Sequence, residues 1–129
     1  MNRQKEKESK EIANQVIDAV VQIHKTMGPG LFVNAYQKCL QHALHKEGLN
    51  VVCGKKLPVV YDGVKIDAGY MLDMLVEDQV VIENKTIERL TSDDEEELTT
   101  YLKFSGCKLG LIINWKTLLI KQGIKRIEI

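Results

Sequence analysis

The stretch Val80-Val81-Ile82-Glu83-Asn84-Lys85 constrains this chain more than any other, because an apolar strand pattern runs straight into two opposite charges. Side chains alternate faces along a strand, so Glu83 and Lys85 share one face, and Val80, Ile82 and Asn84 share the other. Charges seldom interrupt an otherwise apolar central strand unless they are paired or functional. Asp73 lies on the preceding predicted strand. A loop of Glu77-Asp78-Gln79 pairs Val76 with Val80, and places Asp73 opposite Glu83 and Met71 opposite Lys85. A loop of only Glu77-Asp78 sets Asp73 opposite Ile82 and sends the two acids to opposite faces. Convergence of the acids therefore requires the odd loop, with its turn centred on Asp78.

Asp73, Glu83 and Lys85 make a coherent chemical set. Carboxylates are hard oxygen ligands suited to magnesium or manganese, which keep several of their waters. Such a metal sharpens a bound water as a nucleophile and neutralises charge on a phosphate. A lysine beside it orients that water or stabilises developing negative charge, and it offsets repulsion between the acids. The same spacing also suits a buried ion pair of Asp73 or Glu83 with Lys85 that holds the sheet together. Spacing alone leaves both readings open.

The surrounding chain reads as helix, helix, three strands, helix, strands. Ile12, Val16, Val20, Ile23 and Met27 form a helical stripe over residues 8–27, stopped by Gly28-Pro29-Gly30. Phe32, Ala35, Tyr36, Cys39, Leu40 and Ala43 mark a second helix, with Gly48 just past its end. Residues 51–61 read as a strand broken by Gly54 and Pro58, and Asp62-Gly63 as a hairpin turn. Residues 64–76 read as a second strand and 80–86 as a third. Ser92 with Glu95 forms a capping box for a third helix that runs to about Gly106. Residues 109–114 are a wholly apolar strand, and 117–120 and 124–129 read as closing strands around a Gly123 turn. This order predicts an α/β fold with a mixed central sheet flanked by helices. The strand after the third helix is expected to lie parallel to the one before it.

At 129 residues the chain fits one domain spanning 1–129, long enough to bury a core without staples. Its 18 basic and 18 acidic residues balance, which argues against a protein that coats nucleic acid non-specifically. Cys39, Cys53 and Cys107 form no CxxC pair, so neither a zinc site nor a disulfide framework is implied. No signal-peptide segment and no membrane-length apolar run is visible, and a reducing, cytoplasmic setting is expected.

Several ordered motifs together resemble the GxxExxY family, a branch of the PD-(D/E)xK nuclease superfamily. They are His24-Lys25, Met27-Gly28-Pro29-Gly30-Leu31, Tyr36, Asp73-x-Leu75-Val76-Glu77, Glu83-x-Lys85, Tyr101-Leu102, and Gly110-Leu111-Ile112-Ile113-Asn114. The resemblance runs from about residue 12 to the C-terminus. It implies a restriction-endonuclease-like core, with Asp73 and Glu83 as metal ligands, the main-chain carbonyl of Asn84 as a third ligand, and Lys85 as the catalytic lysine. Tyr36 and Tyr101 would be auxiliary. The implied cofactor is Mg2+ or Mn2+, and the implied partner is nucleic acid.

This chain departs from the family pattern twice. The glutamate expected three residues after Gly30 is Val33, which can simply pack beside Tyr36, Leu40 and Leu44. The glutamine expected four residues before Tyr101 is Glu97. Glu97 could replace the missing carboxylate. The reading preferred from sequence is that it continues the acidic run Asp93-Asp94-Glu95-Glu96, which suits a solvated helix N-terminus. Two functions follow: a metal-dependent nuclease cutting DNA or RNA phosphodiesters, or a degenerate member serving as a nucleic-acid or protein interaction module.

Other features point to structure. His42 and His45 could meet on a helix face, but no further ligand supports them. His24 suits a helix C-terminus. Gly28-Pro29-Gly30 lacks the lysine and preceding strand of a phosphate-binding loop. Trp115 is expected to be a partly buried packing residue. Lys55, Lys56, Lys116, Lys121, Lys125 and Arg126 read as scattered surface cations that could line a nucleic-acid face.

Overall fold

The computed structural model describes residues 2–129, with side chains from residue 8 onward. Its elements are α1 (Asn2–Met27), α2 (Val33–Lys46), β1 (Val51–Lys56), β2 (Val59–Tyr61), β3 (Val64–Ile66), β4 (Met71–Val76), β5 (Val80–Lys85), α3 (Ser92–Ser105), β6 (Leu109–Asn114), a 3-10 turn (Ile120–Gly123) and β7 (Ile124–Glu128). The main sheet has five strands in the order β1-β4-β5-β6-β7. β5 and β6 are parallel, joined by the α3 crossover, and the other neighbours are antiparallel. The mixed sheet flanked by helices is the architecture the element order predicts.

Alternation along the strands divides the core into two layers. Val80, Ile82, Leu109, Leu111 and Ile113 face α1 and α2, where they meet Val16, Val20, Leu40 and Leu44. Val81, Leu75 and Ile112 face α3, where they meet Leu98, Tyr101 and Leu102. Fully burying one such aliphatic side chain contributes about 1.5–3 kcal/mol, so both layers hold the central strands firmly. Gly110 sets how closely α3 approaches, because a Cβ there would lie 2.8 Å from the Leu98 side chain.

Helix ends follow their local chemistry. Gly28 and Gly48 take the left-handed conformation after α1 and α2, with their N–H groups bonded to His24 and His45 carbonyls at 2.8 and 2.9 Å. The cap of α3 is shifted one residue from the expected Ser92–Glu95 pair. Thr91 is the N-cap, and its N–H and hydroxyl donate to Asp94 at 2.8 and 3.2 Å. Phe32 precedes α2 rather than belonging to its buried stripe, and it is solvent-exposed.

Three strand assignments also change. Residues 51–61 divide between two sheets, because β2 leaves the main sheet and pairs only with β3. Residues 64–76 are interrupted at 67–70, where the Asp67 carboxylate accepts the Gly69 N–H at 3.1 Å and turns the chain. Residues 117–120 form no strand. The chain instead tightens into the 3-10 turn, where a Cβ on Gly123 would lie 2.7 Å from the Asn114 carbonyl oxygen. Among the described residues no helix is long and apolar enough to cross a membrane.

Candidate active site

The β4–β5 hairpin adopts the register that lets the acids converge. Val76 pairs with Val80, Leu75 with Val81 and Met74 with Ile82. Glu77 and Asp78 both have positive φ, at 52° and 54°, and Gln79 N–H bonds the Val76 carbonyl at 2.9 Å. This is the φ pattern of a type I′ turn, whose twist suits a hairpin.

The backbone ladder then stops, and side chains take over. The Glu83 carboxylate accepts the Asp73 N–H at 3.1 Å, and the Asp73 carboxylate accepts the Asn84 N–H at 2.8 Å. Each acid thus takes a main-chain donor of the opposite strand. Leu72 and Leu75 both reach the α3 core although they are three apart, so β4 bends where the ladder ends. Asp73 and Glu83 are drawn together at that bend, on the face covered by α3.

Lys85 projects from the same face and is met by α3. Its ammonium donates to Glu97 at 3.2 Å and lies 3.7 Å from Asp94. Glu97 therefore turns towards the sheet, although sequence reading favoured leaving it in the solvated acidic run. Asp94 serves both as helix cap and as a neighbour of Lys85, a double role not visible in the sequence. Tyr101 follows one turn after Glu97, is buried, and meets the Tyr70 ring edge-on at 6.0 Å between centroids.

The electrostatics are those of an under-neutralised pocket. Burial, then the neighbouring Asp73 charge, pushes Glu83 up to about 8. Burial also raises Asp73, against the lowering effects of the Asn84 N–H and Lys85. Burial pulls Lys85 down, but the Glu97 hydrogen bond and the charges of Glu97, Asp94 and Glu83 outweigh it and push it up. Burial and the Glu97, Glu83 and Asp73 charges push the Tyr101 phenol up to about 12. Burial and Asp73 likewise raise the Cys53 thiol on β1.

Tyr36 lies on the other side of the sheet. Its ring stacks on Trp115 with centroids 4.5 Å apart, and its hydroxyl donates to Gly28 and accepts the Leu31 N–H at 3.1 Å. It fastens the glycine-proline turn to α2. Trp115 is fully buried rather than partly so, and its indole N–H donates to the Asn84 side chain at 2.9 Å. His24 is buried too, and its Nε2 donates to the Trp115 carbonyl at 3.1 Å. Val33 sits half-buried in the first turn of α2, one turn before Gln37. His42 and His45 are both exposed.

A match to the family model described as PD-(D/E)XK nuclease superfamily covers residues 10–127. The chain belongs to that superfamily. Neither the curated proteins nor the solved structures compared with it show a match. Members of this superfamily typically use divalent metals. The residues here fit such an ion in part. Asp73 and Glu83 are hard donors crowded together with raised proton affinity, and a cation would relieve both. Among the described residues, however, no group of three or more His, Cys, Asp or Glu side chains could close around a metal. Magnesium sites commonly use one or two carboxylates with water and substrate oxygens, which matches this donor set.

Proposed function

We propose that this protein is a metal-dependent phosphodiesterase acting on DNA or RNA, in the GxxExxY branch of the superfamily. The observation that carries the proposal is the opened hairpin end. There the Asp73 and Glu83 carboxylates cross between strands at 2.8 and 3.1 Å, with Lys85 on the same face two residues on. Asp73 and Glu83 would hold magnesium or manganese. The metal, when bound, supplies Lewis acidity and an acidified water.

The chain's own residues then have distinct tasks. Lys85, held cationic by the carboxylates around it, donates hydrogen bonds rather than accepting protons, so it suits an anionic phosphate oxygen. Glu97 and Asp94 fix where that ammonium stands before substrate arrives. The Asn84 and Asp73 N–H groups keep one oxygen of each acid occupied and so fix the direction of the other. Tyr101 stays protonated at neutral pH and closes the α3 side of the pocket.

Manganese-dependent nicking of plasmid DNA or cleavage of labelled RNA tests this reading. Lys85→Ala should abolish cleavage while leaving circular dichroism and melting behaviour close to wild type. Cleavage that survives the substitution belongs to another site or to a contaminant.

Val33 favours a second reading, a degenerate member that binds without cutting. It places an aliphatic side chain where the family pattern has a carboxylate. Metal linkage separates the two. A manganese-dependent rise in melting temperature that vanishes in Asp73→Ala supports the enzyme. No rise at millimolar metal supports the module.

A further inference from the structure

The underside of the site carries a set of side-chain bonds that the carboxylates themselves do not explain. Asn84 lies between Glu83 and Lys85 but points to the opposite face, among Ile82, Val80 and the α1–α2 layer. A buried amide on an apolar face is costly unless its polar atoms are paired. Here they are paired. Its amide nitrogen donates to Gln37 Oε1 at 3.1 Å and contacts the Met74 sulfur at 3.3 Å. Its carbonyl oxygen accepts the Trp115 indole N–H at 2.9 Å.

Trp115 is equally committed. Its backbone N–H donates to the Lys85 carbonyl at 2.9 Å, and its own carbonyl accepts His24 Nε2 at 3.1 Å. One tryptophan therefore grips both Asn84 and Lys85, and is itself tied to α1 through His24. The location gives these bonds their purpose. The β4–β5 ladder ends at Met74 and Ile82, so no ladder bond to β4 holds residues 83–85. Across the gap this segment meets β4 through the Asn84 N–H, which donates to Asp73 at 2.8 Å, and through the Glu83 carboxylate, which accepts the Asp73 N–H at 3.1 Å. The β5–β6 ladder holds this segment on its other edge as far as Lys85. An aliphatic residue at 84 would pack as Ile82 and Ile113 do, but it would lack the side-chain bonds to Gln37 and Trp115 that brace the edge facing β4.

We infer that Asn84 and Trp115 are positioning residues, which with Gln37 hold the Asn84 N–H on Asp73 and couple the α1–α2 layer to the carboxylate pair. The geometric coupling stands on the hydrogen bonds alone. Its consequence for metal affinity rests on the phosphodiesterase reading above.

Amide hydrogen exchange on the metal-free protein tests the coupling. Trp115→Phe keeps the stack on Tyr36 and removes the indole donor. Exchange at the Asn84 amide should accelerate about tenfold or more, while Ile82 and Ile113 amides keep their rates. Gln37→Ala, a milder change on half-buried α2, should act in the same direction by a smaller factor, and it keeps the test available if Trp115→Phe fails to fold. An unchanged Asn84 amide, or equal acceleration at Ile82 and Ile113, overturns the inference. A second arm uses the fact that Trp115 is the sole tryptophan. Where calorimetry detects Mg2+ binding to wild type, Mg2+ should shift Trp115 emission, and Asn84→Leu should remove the shift while calorimetry still detects binding. A shift that persists in Asn84→Leu counts against the coupling. If wild type binds no Mg2+ or Mn2+, the phosphodiesterase reading fails, and the exchange arm still decides the inference.

Discussion

Replacing Glu83 by glutamine should stabilise the metal-free protein, and the gain should depend on pH in a defined way. The carboxyl is buried beside Asp73 and is pushed from 4.5 to about 8 in the native protein. Below pH 4.5 it is protonated in both native and unfolded chains, and it contributes no pH-dependent penalty. Between pH 4.5 and 8 the unfolded chain ionises while the native site holds its proton, so stability falls as pH rises. At roughly 1.36 kcal/mol per pH unit, the full rise corresponds to about 5 kcal/mol above pH 8. Glutamine carries no charge, and its side-chain oxygen can still accept the Asp73 N–H. Imperfect replacement of that bond costs about 1–3 kcal/mol. Glu83→Gln should therefore be more stable than wild type by about 2 kcal/mol or more at pH 9 in EDTA, and equal or less stable at pH 4.5. Urea unfolding at the two pH values measures this difference directly. Manganese should reverse the order at pH 8, since only wild type offers both carboxylates. Parallel pH profiles for the two proteins would show that Glu83 is not held protonated, and the under-neutralised pocket would lose its basis.

Val33→Glu should lower metal-free stability through an unpaired carboxylate at a half-buried position, yet tighten manganese binding about tenfold, or roughly 1.4 kcal/mol. Melting with and without metal separates the two effects. If Glu97 already fills the vacancy, Val33→Glu brings no gain and Glu97→Gln weakens binding by calorimetry; no change in either removes both residues from the metal site. Gly110→Ala drives a methyl to 2.8 Å from Leu98, so it should cost about 1–3 kcal/mol of overpacking. Adding Leu98→Val should recover part of that loss in urea unfolding, and simple additivity would refute the contact.

The acid-and-lysine arrangement was legible because two local rules decide it. Strand alternation places Glu83 with Lys85, and loop length places Asp73 with Glu83. Glu97 and Asp94 were not legible, because the phase of α3 against the sheet is set by Leu98, Leu102 and the gap at Gly110, which are tertiary facts. The cap slipped by one residue because Thr91-x-x-Asp94 and Ser92-x-x-Glu95 are overlapping frames of the same motif. Trp115 followed a strand of six apolar-to-amide residues and looked like a boundary, while its burial comes from α1 and α2 folding back over it. One partner-demanding residue is legible in the sequence. Asn84 shares its predicted face with Val80 and Ile82, and an amide on such a face demands partners.

The β2–β3 hairpin has a consequence for how the protein can change. It leaves the main sheet after Lys56 and returns at Met71, and those two residues pair with each other. Residues 60–71 are all exposed, and the hairpin forms its own two-stranded sheet. Its root ends at Tyr70, against the Tyr101 ring beside the acids. Length and composition beyond that root are thus free of the packing constraints that fix the rest of the chain. Insertions or trims at Asp62-Gly63 would therefore change the exposed tip of this appendage without touching the two core layers beneath.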